Sequence, residues 1–180
     1  MRITSGDLRG RSISSLEGTE TRPTSDKVKQ SMFNIIQFDI YGRYALDLFA
    51  GTGQLGIEAV SRGAKTCVFV EQEFKTAKHL SQNIENFGID TRCQVVEQDC
   101  IKFLSKNKGS FNLVFMDPPY LKDGISNIIR LLCENDFLKD DAIVLAETDI
   151  NDSVPEIAGR LHLEKTYKHG RTAVHLYKIH

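Results

Sequence analysis

Leu46-Asp47-Leu48-Phe49-Ala50-Gly51-Thr52-Gly53-Gln54-Leu55-Gly56 is the stretch whose reading decides the fold. It starts as an apolar strand, passes through glycines and enters helical spacing at Ile57, Ala59 and Val60, which is the strand, turn, helix order of a nucleotide-binding crossover. Glycine suits the turn because it admits positive φ and because it has no Cβ to hold a ligand off the main chain. Gly51 to Gly56 also fits the G-x-G-x-x-G pattern of dinucleotide sites, with Glu71 twenty residues beyond Gly51.

Asp47 points elsewhere. A carboxylate at the strand end repels a pyrophosphate and suits a cationic or amine-bearing ligand; S-adenosyl-L-methionine, with its sulfonium and α-amino group, has that charge pattern. A nicotinamide-dependent oxidoreductase stays open on the glycine pattern alone.

Working outward, strand and helix patterns alternate from residue 44 onward. Tyr44 to Phe49, Thr66 to Val70, Cys93 to Glu97, Phe111 to Met116 and Ala142 to Ala146 read as strands, and continuous apolar runs such as Cys67-Val68-Phe69-Val70 suit a parallel sheet covered on both faces. Helices fall between them at Gln54 to Arg62, Phe74 to Phe87, Ile101 to Leu104 and Ile125 to Leu132. Leu161 to Tyr167 and Thr172 to Lys178 alternate around a Lys168-His169-Gly170-Arg171 turn, an antiparallel hairpin closing one edge. Ahead of this core, Arg2 to Ile13 suggests a hairpin, and Asp26 to Phe38 a helix. The expected architecture is α/β: a doubly wound, mostly parallel seven-stranded sheet at residues 41–180, with an antiparallel C-terminal hairpin and a small N-terminal hairpin and helix extension at residues 1–40.

At 180 residues, 41% hydrophobic and 26% charged, the composition is that of a globular protein with a substantial core. No apolar run is long enough for a membrane span, and the polar start Met1-Arg2-Ile3-Thr4-Ser5-Gly6 does not read as a signal peptide, so a cytoplasmic location is expected. The cysteines, Cys67, Cys93, Cys100 and Cys133, lack zinc-ligand spacing and read as reduced thiols, with no metal implied. A net charge of -1 argues against nonspecific coating of nucleic acid, while a local docking face remains open. Arg2, Arg9 and Arg11 could form such a face by meeting phosphates, and the hairpin that carries them could equally be a solvated surface element.

Ligands of open parallel sheets bind beyond the carboxyl ends of the strands, and Asp47, Glu71, Asp99 and Asp117 all fall there. Glu71 is placed to accept from ribose hydroxyls. Asp99, with the adjacent main chain of Cys100, could contact an adenine edge or cap the following helix. Asp117-Pro118-Pro119-Tyr120 is the sharpest feature. Each proline forces the preceding residue out of the helical region and offers no N–H, leaving a stiff strip of acceptors. Two acceptors on the N–H groups of an exocyclic amine favour a pyramidal nitrogen whose lone pair faces an incoming methyl group, and Asp117 can take or relay the released proton. Tyr120 offers a stacking surface for an extruded base.

Asp47 through Gly53 together with Asp117-Pro118-Pro119-Tyr120 resembles the class I S-adenosylmethionine-dependent amino-methyltransferases, a group of Rossmann-like enzymes spanning DNA adenine, protein amide and RNA guanine substrates. Arg2-Ile3, Ser5-Gly6, Gly10-Arg11, then Arg22-Pro23-Thr24-Ser25-Asp26-Lys27-Val28 and Phe33-Asn34, with Tyr167, Gly170, Thr172 and Tyr177, narrow the resemblance to the bacterial 16S ribosomal RNA guanine-N2 methyltransferases of the RsmD type, over essentially the full chain. That resemblance implies cofactor contacts from Asp47, Gly51, Gly53, Glu71 and Asp99, with Phe49, Ala50, Thr52, Gln72 and Cys100 beside them. It implies catalysis at Asp117, Pro118, Pro119 and Tyr120, and substrate contacts from Arg22 and Thr24, with Arg9 and Arg11 gripping RNA. The implied partner is 16S ribosomal RNA in an assembling or assembled small subunit, met by a monomer. A noncatalytic RNA-binding module on the same fold is the contrasting possibility.

Overall fold

The computed structural model describes residues 1–15, 26–118 and 124–180. Its centre is a sheet in the order β3-β2-β1-β4-β5-β8-β7-β6. β1 (Tyr44–Asp47), β2 (Thr66–Glu71), β3 (Cys93–Glu97), β4 (Phe111–Met116) and β5 (Leu138–Asp149) run parallel, and β8 (Thr172–Ile179), β7 (Leu161–His169) and β6 (Ile157–Ala158) continue antiparallel. The doubly wound expectation holds, with one difference: among the described residues the sheet has eight strands. Two-residue β6 pairs with the outer edge of β7 and is too short to leave an alternation in the sequence.

Alternation of side chains sorts the core into two layers. Ala45, Cys67, Phe69, Leu113, Phe115, Ile143 and Leu145 point to one face, where α1 (Asp26–Ile35), α2 (Gln54–Ser61) and α3 (Phe74–Phe87) cover them. Leu46, Leu48, Val70, Val114, Met116 and Val144 point to the other, under α4 (Cys100–Lys106) and α5 (Gly124–Glu134). Apolar residues on both faces explain the uninterrupted hydrophobic runs of the central strands.

The amino-terminal residues fold back as expected, with an antiparallel bridge between Arg2 and Ser12. Their Ile3, Leu8 and Ile13 join the same core as Met32 and Phe33 of α1 and the sheet face beneath. Glu58 of α2 fastens this arm. Its carboxylate accepts from Thr4 N (2.9 Å), Thr4 Oγ1 (2.7 Å) and Ser5 N (3.0 Å), and pairs with Arg62 Nε at 2.8 Å. Lys29 of α1 lies 3.7 Å from the same carboxylate and donates to Arg2 O at 2.9 Å. Glu58 and Lys29 are both fully buried, so each charge depends on the other and on these hydrogen bonds.

β5 is the longest strand. It reaches from Leu138 to Asp149, where the apolar run shows only Ala142 to Ala146. Its polar ends, Lys139-Asp140-Asp141 and Glu147-Thr148-Asp149, lie where the strand outruns one neighbour or the other, so hydrophobic patterning does not mark them. Among the described residues, no helix is long and apolar enough to cross a membrane.

Candidate active site

Strand register explains why distant acids meet. Asp47 at the end of β1 pairs with Phe69 on one side and Phe115 on the other, so Glu71 and Asp117, each two residues further on, flank the turn that follows β1. Glu97 pairs with Glu71, which brings Asp99 to the same edge. The four acids named from the sequence therefore line the carboxyl ends of adjacent strands β3, β2, β1 and β4, and Asp117 and Glu71 are close enough to Asp47 for their charges to raise its pKa.

The turn itself uses its glycines differently. Gly51, at φ +52°, has nothing within 4 Å of where a Cβ would stand, so its main chain borders open space. Gly53, at φ +85°, precedes α2 in a left-handed conformation, and a Cβ there would meet Leu80 Cδ1 at 2.3 Å. At Gly56 the added atom would meet Phe69 Cε1 at 2.2 Å. Gly51 thus leaves its main chain open to a ligand, while Gly56 lets α2 lie directly on the sheet.

Asp47 is buried, and its Oδ2 accepts from Gly56 N at 2.9 Å, in the first turn of α2. Gly53 contributes no side-chain cap, so the strand carboxylate supplies one and faces the positive end of the helix dipole. Its Oδ1 is buried with no hydrogen bond, an acceptor that a donor from a bound molecule would satisfy. Burial first, then the charges of Asp117 and Glu71, push the Asp47 carboxyl up to about 7, against the lowering effect of the Gly56 bond and a weaker one of the Phe49 main chain, whose N–H does not reach hydrogen-bond geometry at Oδ1. An ammonium at Oδ1 would reverse much of that shift.

Glu71 bridges two main-chain donors, Gly51 N at 2.9 Å and Glu73 N at 2.9 Å. Its carboxylate borders the Gly51 opening and can exchange these donors for hydroxyls. Gln72 beside it is exposed. Asp99 caps α4 by accepting from Lys102 N at 2.9 Å, and Cys100 behind it is buried, its thiol pushed up to about 12 by burial. Phe49 and Thr52 are half-buried and Ala50 is buried. Ala50 N donates to Val70 O at 3.1 Å, and Gly53 N donates to Ala50 O at 2.7 Å, which fixes the loop.

Asp117 and Pro118 are half-buried at the carboxyl end of β4, whereas Pro119, Tyr120, Arg22 and Thr24 lie outside the described residues. Arg9 and Arg11 are placed away from this crevice. Asp7 N and Leu8 N donate to Ser61 O and Oγ at 2.9 and 3.0 Å, so the arm sits at the far end of α2, about 12 Å along an eight-residue helix from its start. The Arg11 guanidinium donates to Phe87 O at 3.3 Å and Asn86 O at 2.6 Å, and lies 4.5 Å over the Phe87 ring. It closes the carbonyl end of α3 instead of reaching out as a phosphate clamp. Sequence reasoning also missed Glu147. Met116 pairs with Ala146, which sets Glu147 level with Asp117 on the next strand. The only sign in the sequence is a polar residue following the apolar run Ile143 to Ala146.

A doubly wound sheet with a bare glycine turn, an unsatisfied buried acceptor behind it and acids on the neighbouring strand ends is the architecture of the class I methyltransferases. Residues 1–178 match the family described as Conserved hypothetical protein 95. Ribosomal RNA small subunit methyltransferase D of Haemophilus influenzae is 38% identical over 152 residues, which span 83% of this chain and 79% of that protein. The solved structure of Escherichia coli yhhF superposes with a TM-score of 0.90 at 30% identity, covering 99% of this chain and 97% of that one. An RNA methyltransferase from Salinibacter ruber in complex with S-adenosyl-L-homocysteine shares the fold, with a TM-score of 0.67 at 18% identity over 87% of this chain and 93% of that one. The chain belongs to the Conserved hypothetical protein 95 family, that of the small-subunit ribosomal RNA methyltransferase D proteins.

Proposed function

We propose that the protein transfers a methyl group from S-adenosyl-L-methionine to the exocyclic N2 amine of a guanine in bacterial small-subunit (16S) ribosomal RNA. The observation that carries the reading is the convergence of Asp47, Glu71 and Asp117 around the open main chain of Gly51, in a chain of this methyltransferase family. The residues present fit the cofactor: Asp47 Oδ1 is a buried acceptor awaiting a donor such as an ammonium, and Glu71 lies beside Gly51 as an acceptor for ribose hydroxyls. Asp99 and the Cys100 main chain would border the base.

When bound, the cofactor supplies a methyl group on a sulfonium. The chain's own part is positioning. The Asp117 carboxylate and the Pro118 carbonyl accept the two N–H groups of the target amine, so that its lone pair faces the donor, and Asp117 takes the proton released after transfer. Pro119 stiffens the strip and Tyr120 stacks on the extruded base, roles that rest on the resemblance of the sequence. Arg22 and Thr24 keep, on the same ground, their place near the target nucleotide. The cofactor crevice falls in residues 41–180, and an RNA-facing role within residues 1–40 belongs to the segment leading into α1. The protein works as a monomer in the cytoplasm, on the subunit during or after assembly.

The test is modification mapping of small-subunit RNA from cells with and without the protein. One guanine should lose its N2-methyl group in the deletion and regain it on complementation. Loss of a methyl group from an adenine, or from no RNA base, would move the activity to another amino substrate.

A further inference from the structure

We propose that the crest of the wall formed by β5, β8 and β7 is an RNA-docking surface, where the exposed cations Lys168 and Arg171, supported by Lys165, hold backbone phosphates of nucleotides flanking the base delivered to Asp117. The inference rests on reading the crevice as an RNA methylation site, and it adds the surface that grips the strand.

The wall is visible in the register. β4 ends at Met116, level with Ala146 of β5. β5 continues to Asp149, which pairs with Thr172 of β8, and Thr172 pairs with His169 of β7. Three further residues at about 3.3 Å each raise the hairpin about 10 Å above the end of β4. β8 is two strands from β4, which sets the turn about 10 Å to the side. That offset is roughly three nucleotide steps of a stacked strand, so a chain entering the crevice passes the crest.

The chemistry of the crest suits a polyanion. Lys168 and Arg171 at the crest, and Lys165 lower on the flank of β7, level with Leu145, are exposed, and among the described residues none of them forms a salt bridge. Lys165 Nζ lies 5.0 Å over the Tyr167 ring. The turn is held in place, because His169 Nε2 meets Ser31 Oγ of α1 at 2.8 Å. Two acids stand nearby, Asp149 and Asp152, and both fold the loop after β5: Asp149 Oδ1 accepts from Asn151 N at 3.0 Å and Asp152 Oδ2 from Asp149 N at 3.2 Å. Among the described residues, the large exposed apolar side chains, Phe38, Tyr41, Phe74, Ile101 and Ile157, all lie off the crest, so those residues give it no apolar centre of the kind a protein partner would need. Arg9 and Arg11, the cations the sequence suggests, sit away from the crest, by the far ends of α2 and α3.

The test compares the full-length protein with its Lys168→Gln/Arg171→Gln variant, using Lys106→Gln/Lys108→Gln, at the end of α4 and the loop into β4 on the amino-terminal side of the sheet, as a control. Binding to naked small-subunit ribosomal RNA is followed by fluorescence anisotropy across a salt series, alongside the KM and kcat of methyl transfer to the RNA and to isolated subunits. The crest variant should bind RNA about tenfold more weakly, with a log–log salt slope shallower by about 2. It should show the same relative rise in KM, with kcat and cofactor affinity unchanged, while the control variant behaves as wild type. Unchanged affinity and slope, or an equal loss in the control, would overturn the proposal, as would a defect seen with subunits but not with naked RNA, which would make the crest a protein contact. If the wild-type protein methylates no RNA, the functional reading fails, and the salt-dependent binding still decides the docking surface separately.

Discussion

Asp47 and Gly56 are joined by a 2.9 Å hydrogen bond from the Gly56 N–H to the Asp47 carboxylate, which makes a strand residue the cap of the helix that follows it. The other oxygen of that carboxylate has no hydrogen bond, and burial holds its pKa at about 7 instead of 3.8. Because the folded value lies above the unfolded one, the ligand-free protein should lose stability as pH rises from about 4 to 7 and level off above that. Thermal melting against pH should show this decline in wild type and not in Asp47→Asn.

Cofactor binding runs with the opposite sign. An ammonium at Asp47 favours the ionised carboxylate, so affinity for S-adenosyl-L-homocysteine should rise with pH up to about 7, with protons released on binding. Calorimetry in buffers of different ionisation enthalpy measures that release, and it should shrink in Asp47→Asn.

Asp117 stands at the carboxyl end of β4 beside the crevice, while Glu71 holds the Gly51 main chain. Asp117→Ala should therefore lower kcat by about 10²–10⁴-fold, the range for loss of a positioned proton acceptor, while cofactor affinity stays within a few-fold of wild type. Equal losses of activity and cofactor binding would place Asp117 in cofactor holding instead.

Gly51 and Gly56 separate ligand contact from packing. Gly56→Ala drives a methyl group into the Phe69 ring and should cost about 1–3 kcal/mol. Gly51→Ala faces open space at φ +52°, so it should cost about 1–2 kcal/mol in backbone strain and weaken cofactor binding severely. Denaturant melts and calorimetric titration of the two variants distinguish these effects.

Glu58 holds the amino-terminal arm, α1 and α2 together. Glu58→Ala removes the buried partner of Lys29 and leaves it only the exposed Asp26 carboxylate at 3.8 Å, and should destabilise the protein by roughly 3–5 kcal/mol. Hydrogen exchange at Ile3, Thr4 and Ser5 should rise in the same variant.

Much of this architecture is legible in the sequence, because buried parallel strands write uninterrupted apolar runs and glycines punctuate the crossovers. β2, α3, β3 and β4 end within a residue of where those signals stop. Side-chain commitments are harder to read. The sequence cannot say that Arg11 will close α3, that Asp47 will cap α2, or that Glu147 will stand level with Asp117, since each depends on which strands become neighbours. β6 and the polar ends of β5 escape notice because edge and overhanging strand segments carry no core-facing alternation. The same overhang raises the crest beside Asp117, a feature set by register and not by composition.

The most direct measurement is a reconstituted reaction. Purified protein is incubated with methyl-labelled S-adenosyl-L-methionine and small subunits from cells lacking it, and the RNA is then digested to nucleosides for mass spectrometry. The account predicts label in N2-methylguanosine alone, at close to one methyl group per subunit, and none with Asp117→Ala. Label in another nucleoside, label in protein, or undiminished transfer by the Asp117 variant would contradict it.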